Sequence, residues 1–182
     1  MLAVRDGDVD RLSVLFERYH RRLYEFFRRM NAERSTAEDL VQDVFYRVLK
    51  YRHTFRDENL FVPWLYKIAR NARFQHHRKR GVHVPDAGTT TSPDAEYERD
   101  QQAMLLRCAM EQLPDDKREV LVLAWYQDLK YEVIAELLGI SVGAVKVRVY
   151  RAVRELRDIL GKENGENPSC AVKTLKTTLR TT

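Results

Sequence analysis

The chain has 182 residues and a formal net charge of +5, enough for one ordinary domain or two small ones and better suited to an anionic partner than to a neutral one. Its two cysteines, Cys108 and Cys170, stand far apart without CxxC or CxxxH spacing, so neither a disulfide framework nor a zinc site follows from them. The longest strictly apolar run, "VLVLAWY" at 120–126, falls far short of the ~20 residues of a spanning helix, and the charged N-terminal stretch lacks a signal-peptide core, so no membrane insertion is expected.

Helical spacing dominates from the start, and strand-like alternation is almost absent. Leu12, Leu15, Phe16, Tyr19, Leu23, Phe26 and Phe27 recur at three- and four-residue steps, which predicts one inward face of a helix beginning near Asp8 or Asp10. Leu40, Val41, Val44, Phe45, Val48 and Leu49 predict a second helix, with Ser35 or Thr36 as its N-cap and Glu38 in its first turn. A third begins near Pro63, a residue suited to a first helical turn, and turns Leu65, Ile68, Ala69 and Ala72 inward. Along it the ionisable residues Lys67, Arg70, Arg73, Arg78, Lys79 and Arg80 meet no acid.

Gly81, Pro85, Gly88 and Pro93 then cluster around "TTTS", which is loop composition. Charge reverses here: Asp86, Asp94, Glu96, Glu98 and Asp100 face Arg99 alone. The expected organisation is all-α, with two small helical domains at 1–81 and 99–161, an acidic flexible linker at 82–98 and a disordered tail at 162–182. In the second domain Met104, Leu105, Cys108, Ala109 and Leu113 restore helical spacing, and Pro114 opens a helix through Val120, Leu121, Leu123 and Ala124. Two more helices follow near 131–138 and 142–160.

This last pair has the mechanics of a helix-turn-helix. Ile134, Leu137 and Leu138 form the inner face of its first helix, Gly139 supplies the permissive conformation that ends it, and Ser141 can cap the second. Val145, Val149, Ala152, Val153, Leu156, Ile159 and Leu160 make one apolar stripe. At 100° per residue, Gly143, Ala144, Val147, Arg151 and Arg154 lie opposite it, flanked by Lys146 and Arg148. Small side chains let a backbone approach the DNA major groove, and the long cations reach phosphates or guanine edges.

Four motifs in order, "AEDLVQDVF", "WLYKIARN", "LPDDKREVLVL" and "IAELLGIS…VKVR…RA…LR", make the chain over roughly residues 5–160 resemble an extracytoplasmic-function (group 4) RNA polymerase sigma factor of the sigma-70 family. The resemblance implies a region 2 domain, a linker without the intervening sigma domain, and a region 4 domain. It implies a bacterial, cytoplasmic promoter-recognition subunit with no catalytic residues and no cofactor or metal. Its partners would be core RNA polymerase (the β′ coiled coil and the β subunit), promoter DNA and an anti-sigma factor.

The resemblance gives Asp39, Gln42, Asp43 and Arg47 the role of docking on the β′ coiled coil. It makes the 51–80 segment the reader of the −10 element. His53, Phe55 and Phe61 lie in the candidate capture loop at 51–62, and Lys67, Arg70, Asn71, Arg73, Phe74, Arg78, Lys79 and Arg80 on the adjoining helix. Opening a promoter requires bases to leave the stack, and aromatic pockets beside a cationic track suit that task. Trp64 and Tyr66 fit core packing as well as base contact, and His76–His77 fit nucleic-acid contact or solvent better than a metal. Ser141, Gly143, Ala144, Lys146, Val147, Arg148, Arg151 and Arg154 would form the −35 reader.

In family members the linker runs toward the RNA path of the polymerase, where its acids could occupy a channel built for nucleic acid; a solvated tether is the alternative, and both stay open. One departure concerns the recognition helix, where relatives often carry Thr-Val-Lys-Ser-Arg and this chain has Ala144–Val145–Lys146–Val147–Arg148. Two hydroxyls are lost, Val147 gains the capacity to touch a thymine methyl, and the −35 sequence cannot be inferred. A stand-alone helix-turn-helix regulator would need neither the 37–50 helix nor the −10-like segment. A small nuclease would need clustered carboxylates or a nucleophile–base pair that the chain lacks.

Overall fold

The structure, a computed structural model, describes residues 1–56, 60–80 and 97–164; for 79–80, 97–103 and 163–164 it describes the backbone alone. Two compact units result, and every element among the described residues is helical. The expected linker lies outside the described residues except for Tyr97 and Glu98, which already belong to a helix. The expected tail lies outside them except for its first three residues, which continue the last helix.

In the first unit a short helix α1 (Leu2–Arg5) and a 3₁₀ turn at Val9–Arg11 lead into α2 (Leu12–Arg29), α3 (Arg34–Lys50) and α4 (Phe61–Arg80). Leu23, Phe26 and Phe27 of α2 are fully buried, against Val44 and Val48 of α3 and Leu65, Tyr66 and Ala69 of α4 in one core. Each Leu or Phe so buried contributes about 1.5–3 kcal/mol. The ring of Phe26 meets Phe27 and Tyr66 edge-on at 5.3 and 5.4 Å. Tyr66 is therefore a core residue, and burial pushes its phenol well above the usual range, so it stays neutral.

Two expectations for this unit need correction. The apolar face of α2 is buried only in its C-terminal half; Phe16 remains exposed, its ring stacked on His20 and tilted against Phe45 of α3. Periodicity marks a face, and the length over which neighbours cover it is a tertiary matter. The N-cap of α3 is Glu33 rather than Ser35 or Thr36, with no side-chain cap bond. Thr36 is buried with Ala37 and Leu40, so bringing this face inward requires the helix to start earlier. The preceding turn is closed by Asn31 at φ +61°, with Asn31 N–H bonded to Arg28 O and Ala32 N–H to Phe27 O. Asparagine is among the few residues that adopt this left-handed conformation readily.

The remaining elements are α5 (Tyr97–Gln112), α6 (Asp115–Leu121), a wider π-helical turn at Val122–Tyr126, α7 (Tyr131–Leu138) and α8 (Val142–Asn164), of which the second unit holds all but Glu136–Leu138. Pro114 stands at the N-cap of α6, as its sequence position predicts for a residue opening a helix. The apolar run at 120–123 is wholly buried, together with Leu106 and Ala109 of α5, Leu113 just after it, and the Val145, Val149, Ala152, Leu156 and Leu160 stripe of α8. Cys108 is a half-buried free thiol, and Cys170 lies outside the described residues.

Candidate functional site

On α3, Asp39 and Gln42 are exposed, whereas Asp43 and Arg47 are half-buried. They share one face through their i, i+3, i+4 spacing. Arg47 Nε donates to both carboxylate oxygens of Asp43 at 2.9 Å, so these two candidates hold each other and nearly cancel in charge. Tyr46 stands beside them at 63% exposure. Its outward position follows from the sequence period, yet it was not among the docking residues expected from the sequence.

The capture loop divides. His53 is exposed in a 3₁₀ turn at Arg52–Thr54, braced by Thr54 Oγ1 donating to Tyr51 O at 2.7 Å and Arg52 Nη1 to Leu49 O at 2.9 Å. Phe55, expected to contact bases, is only 5% exposed; its ring lies edge-on to Trp64 at 5.3 Å and to Phe61 at 6.2 Å. It packs, because an aromatic cluster at the head of α4 encloses it. Phe61 is half-buried and also meets Tyr19 at 5.2 Å. Residues 57–59 of the loop lie outside the described residues.

Farther along α4, Lys67, Asn71, Phe74 and Arg78 are all exposed. Steps of four, three and four residues align them along one side of the helix. Phe74 is 70% exposed within this cationic strip, where hydrophobic burial supplies no reason for an aromatic ring. Arg70 and Arg73 are half-buried beside it. Lys79 and Arg80 end the helix, with side chains outside the described residues. The rings of His76 and His77 stand at 84°, and among the described residues no third ligand joins them into a metal-holding group.

The turn before α8 is set by local hydrogen bonds. Gly139 has φ +67°, its N–H bonds to Glu136 O, and the Ile140 N–H bonds to Ala135 O, closing α7. Ser141 Oγ then accepts from the Ala144 N–H at 3.1 Å, the cap expected from the sequence. Beyond it Gly143, Ala144, Lys146, Val147, Arg151 and Arg154 are exposed. Arg148 is half-buried, with Nε 3.9 Å from the carboxylate of Asp116 on α6. Tyr150 shares the exposed side at 68%. Seven residues after Gly143 and three after Val147, it could have been placed there by spacing alone.

Residues 15–82 match the family model for sigma-70 region 2, and residues 103–156 match that for sigma-70 region 4. The RNA polymerase sigma factor CarQ of Myxococcus xanthus is 34% identical over 163 residues, spanning 87% of this chain and 94% of that protein. The ECF RNA polymerase sigma factor EcfG of Rhodopseudomonas palustris is also 34% identical, over 75% of this chain and 77% of its own length. Among solved structures, CnrH in complex with the cytosolic domain of CnrY superposes with a TM-score of 0.69 at 25% identity, covering 88% of this chain and 94% of that one. The sigma factor RpoE of Bartonella quintana, in complex with the anti-sigma factor NepR, shares the fold with a TM-score of 0.68 at 24% identity, over 81% and 95% of the two chains. The chain therefore belongs to the extracytoplasmic-function sigma factors of the sigma-70 family, promoter-recognition subunits of RNA polymerase rather than enzymes.

Proposed function

We propose that three exposed faces divide the work of this sigma factor. The α3 face of Asp39, Gln42, Asp43 and Arg47 docks on the β′ coiled coil of core polymerase. The α4 strip, with His53 and the 51–62 loop, holds the melted −10 element, and the outward side of α8 reads duplex −35 DNA. The observation that carries this reading is the α4 strip, where an exposed phenylalanine is set among cations. A face with that composition gains little from water and much from unstacked bases on a phosphate backbone. Phosphate contacts would make DNA binding salt-sensitive, while the few base contacts would set the promoter. We assign the protein to the bacterial cytoplasm; among the described residues no helix is long and apolar enough to cross a membrane. By analogy with the NepR complex, an anti-sigma protein is its regulator.

Runoff transcription with purified core polymerase on genomic fragments tests the assignment. Phe74→Ala should lower open-complex formation and runoff product about tenfold, within the ~1–3 kcal/mol that one base–aromatic stack contributes, without changing association with core. Asp43→Arg should have the complementary effect, weakening core binding about tenfold or more, because like charges brought together in an interface cost several kcal/mol. Failure of the chain to bind core or to direct initiation from any fragment would reject the division of labour.

A further inference from the structure

The first turn of α6 reaches α8 at two points. Asp116 lies beside Arg148 at 3.9 Å, and Lys117 pairs with Glu155. Arg148 and Glu155 are seven residues apart, close to two full turns, so both ties fall on the same side of α8. Their polarity alternates, acid to base and then base to acid, so a slip of α6 along α8 would bring like charges together. Among the described residues Lys146, Arg151 and Arg154 have no ion-pair partner, whereas Arg148 does. The Asp116 and Arg148 side chains are 59% and 35% exposed, and an ion pair this open to water contributes little to stability. Its value has to be sought in what it does to Arg148.

The approach is from the Nε side. A guanidinium offers five N–H donors in a rigid plane. Bidentate recognition of guanine O6 and N7 can use the two terminal Nη groups. A carboxylate near Nε, at ion-pair distance, leaves that terminal fork open, favours the rotamers that keep the guanidinium beside it, and offsets the positive charge that would otherwise attract any phosphate. Resting on the proposed −35 role of α8, we propose that Asp116 is a positioning residue for promoter specificity. It holds Arg148 by the Nε edge, so that the arginine reads one guanine of the −35 element and contributes little to indiscriminate DNA binding. Asp116 itself touches no base.

The test is selection of bound duplexes from a pool randomised across the −35 element, using core polymerase carrying the full-length chain. Wild type should enrich guanine at one position of the element. Asp116→Asn should reduce that preference about tenfold while leaving the other positions unchanged, and should strengthen binding of the free chain to a random-sequence duplex. Asp115→Asn removes the same charge one residue away, where the carboxylate faces Arg118 instead, and should change neither readout. Asp116→Glu should restore part of the guanine preference. Arg148→Gln should abolish it, and adding Asp116→Asn to that variant should cause no further loss. Equal effects of Asp115→Asn and Asp116→Asn on base preference would overturn the proposal, as would a guanine preference that survives Asp116→Asn but disappears in Arg148→Gln. If Arg148→Gln alters no position of the selected sequence, the −35 role of α8 fails and the positioning role falls with it.

Discussion

Arg118→Ala is expected to unfold the second unit under conditions where the wild type is folded. The Arg118 side chain is buried, with the residue only 6% exposed, and it donates from Nε to Met110 O at 2.8 Å and from Nη2 to Glu111 O at 2.7 Å and Leu113 O at 2.6 Å. These carbonyls belong to the end of α5, where the helix has run out of its own donors and the macrodipole favours a cation. Alanine removes all three bonds and leaves acceptors facing protein. Each unsatisfied buried acceptor costs ~1–3 kcal/mol, so the loss should reach about 3 kcal/mol or more. A small helical unit has on the order of 3–10 kcal/mol to lose. Arg118→Lys should recover only part of it, since a single ammonium cannot span three carbonyls as a planar fork does. The two tryptophans fall one to each unit, Trp64 in the first and Trp125 in the second. In a Trp64→Phe background, urea unfolding followed by Trp125 fluorescence reads this effect directly. An unchanged midpoint would show that water or neighbouring donors replace the guanidinium.

Phe26→Ala should have a comparable effect on the first unit, about 3–5 kcal/mol, the range for removing a fully enclosed phenylalanine. Phe26 is fully buried between α3 and α4, and its ring contacts with Phe27 and Tyr66 disappear with it. Phe16→Ala, ten residues earlier on the same helix, should cost far less because Phe16 is exposed, with its ring against His20 and Phe45 rather than enclosed. Unfolding monitored by Trp64 in a Trp125→Phe background separates the two. Equal losses would mean that the exposed half of α2 is as structurally important as the enclosed half.

Most helices were legible because burial repeats with the helical period, and Ser141 was legible because a cap bond spans three residues of chain. The reach of that period was less legible. Phe16 and Phe26 look alike in the α2 pattern, but only Phe26 has neighbours on all sides. Phe55 illustrates the corresponding ambiguity at the candidate site: an aromatic residue in a loop suits base capture and core packing equally until its ring partners are known. Arg118 stood inside a recognised motif whose physical basis was hidden, because its partners are backbone carbonyls and carry no side-chain signature. Asp116 and Arg148 are separated by the rest of α6, the π-helical turn and all of α7, and no local spacing rule joins them. Tyr46 and Tyr150 were legible as outward-facing but lacked a charge to single them out.

The turn at Gly139 carries an evolutionary consequence. The bonds that turn the chain, Gly139 N–H to Glu136 O, Ile140 N–H to Ala135 O and Ala144 N–H to the Ser141 hydroxyl, use backbone groups and one small side chain. The outward side chains of Val147, Tyr150, Arg151 and Arg154 take no part in those bonds. Mutation can therefore rewrite the reading surface without dismantling its mount. Duplicated copies of such a gene could diverge in promoter preference while remaining foldable at every step, and the substitutions at Ala144 and Val147 are changes of the kind this separation permits.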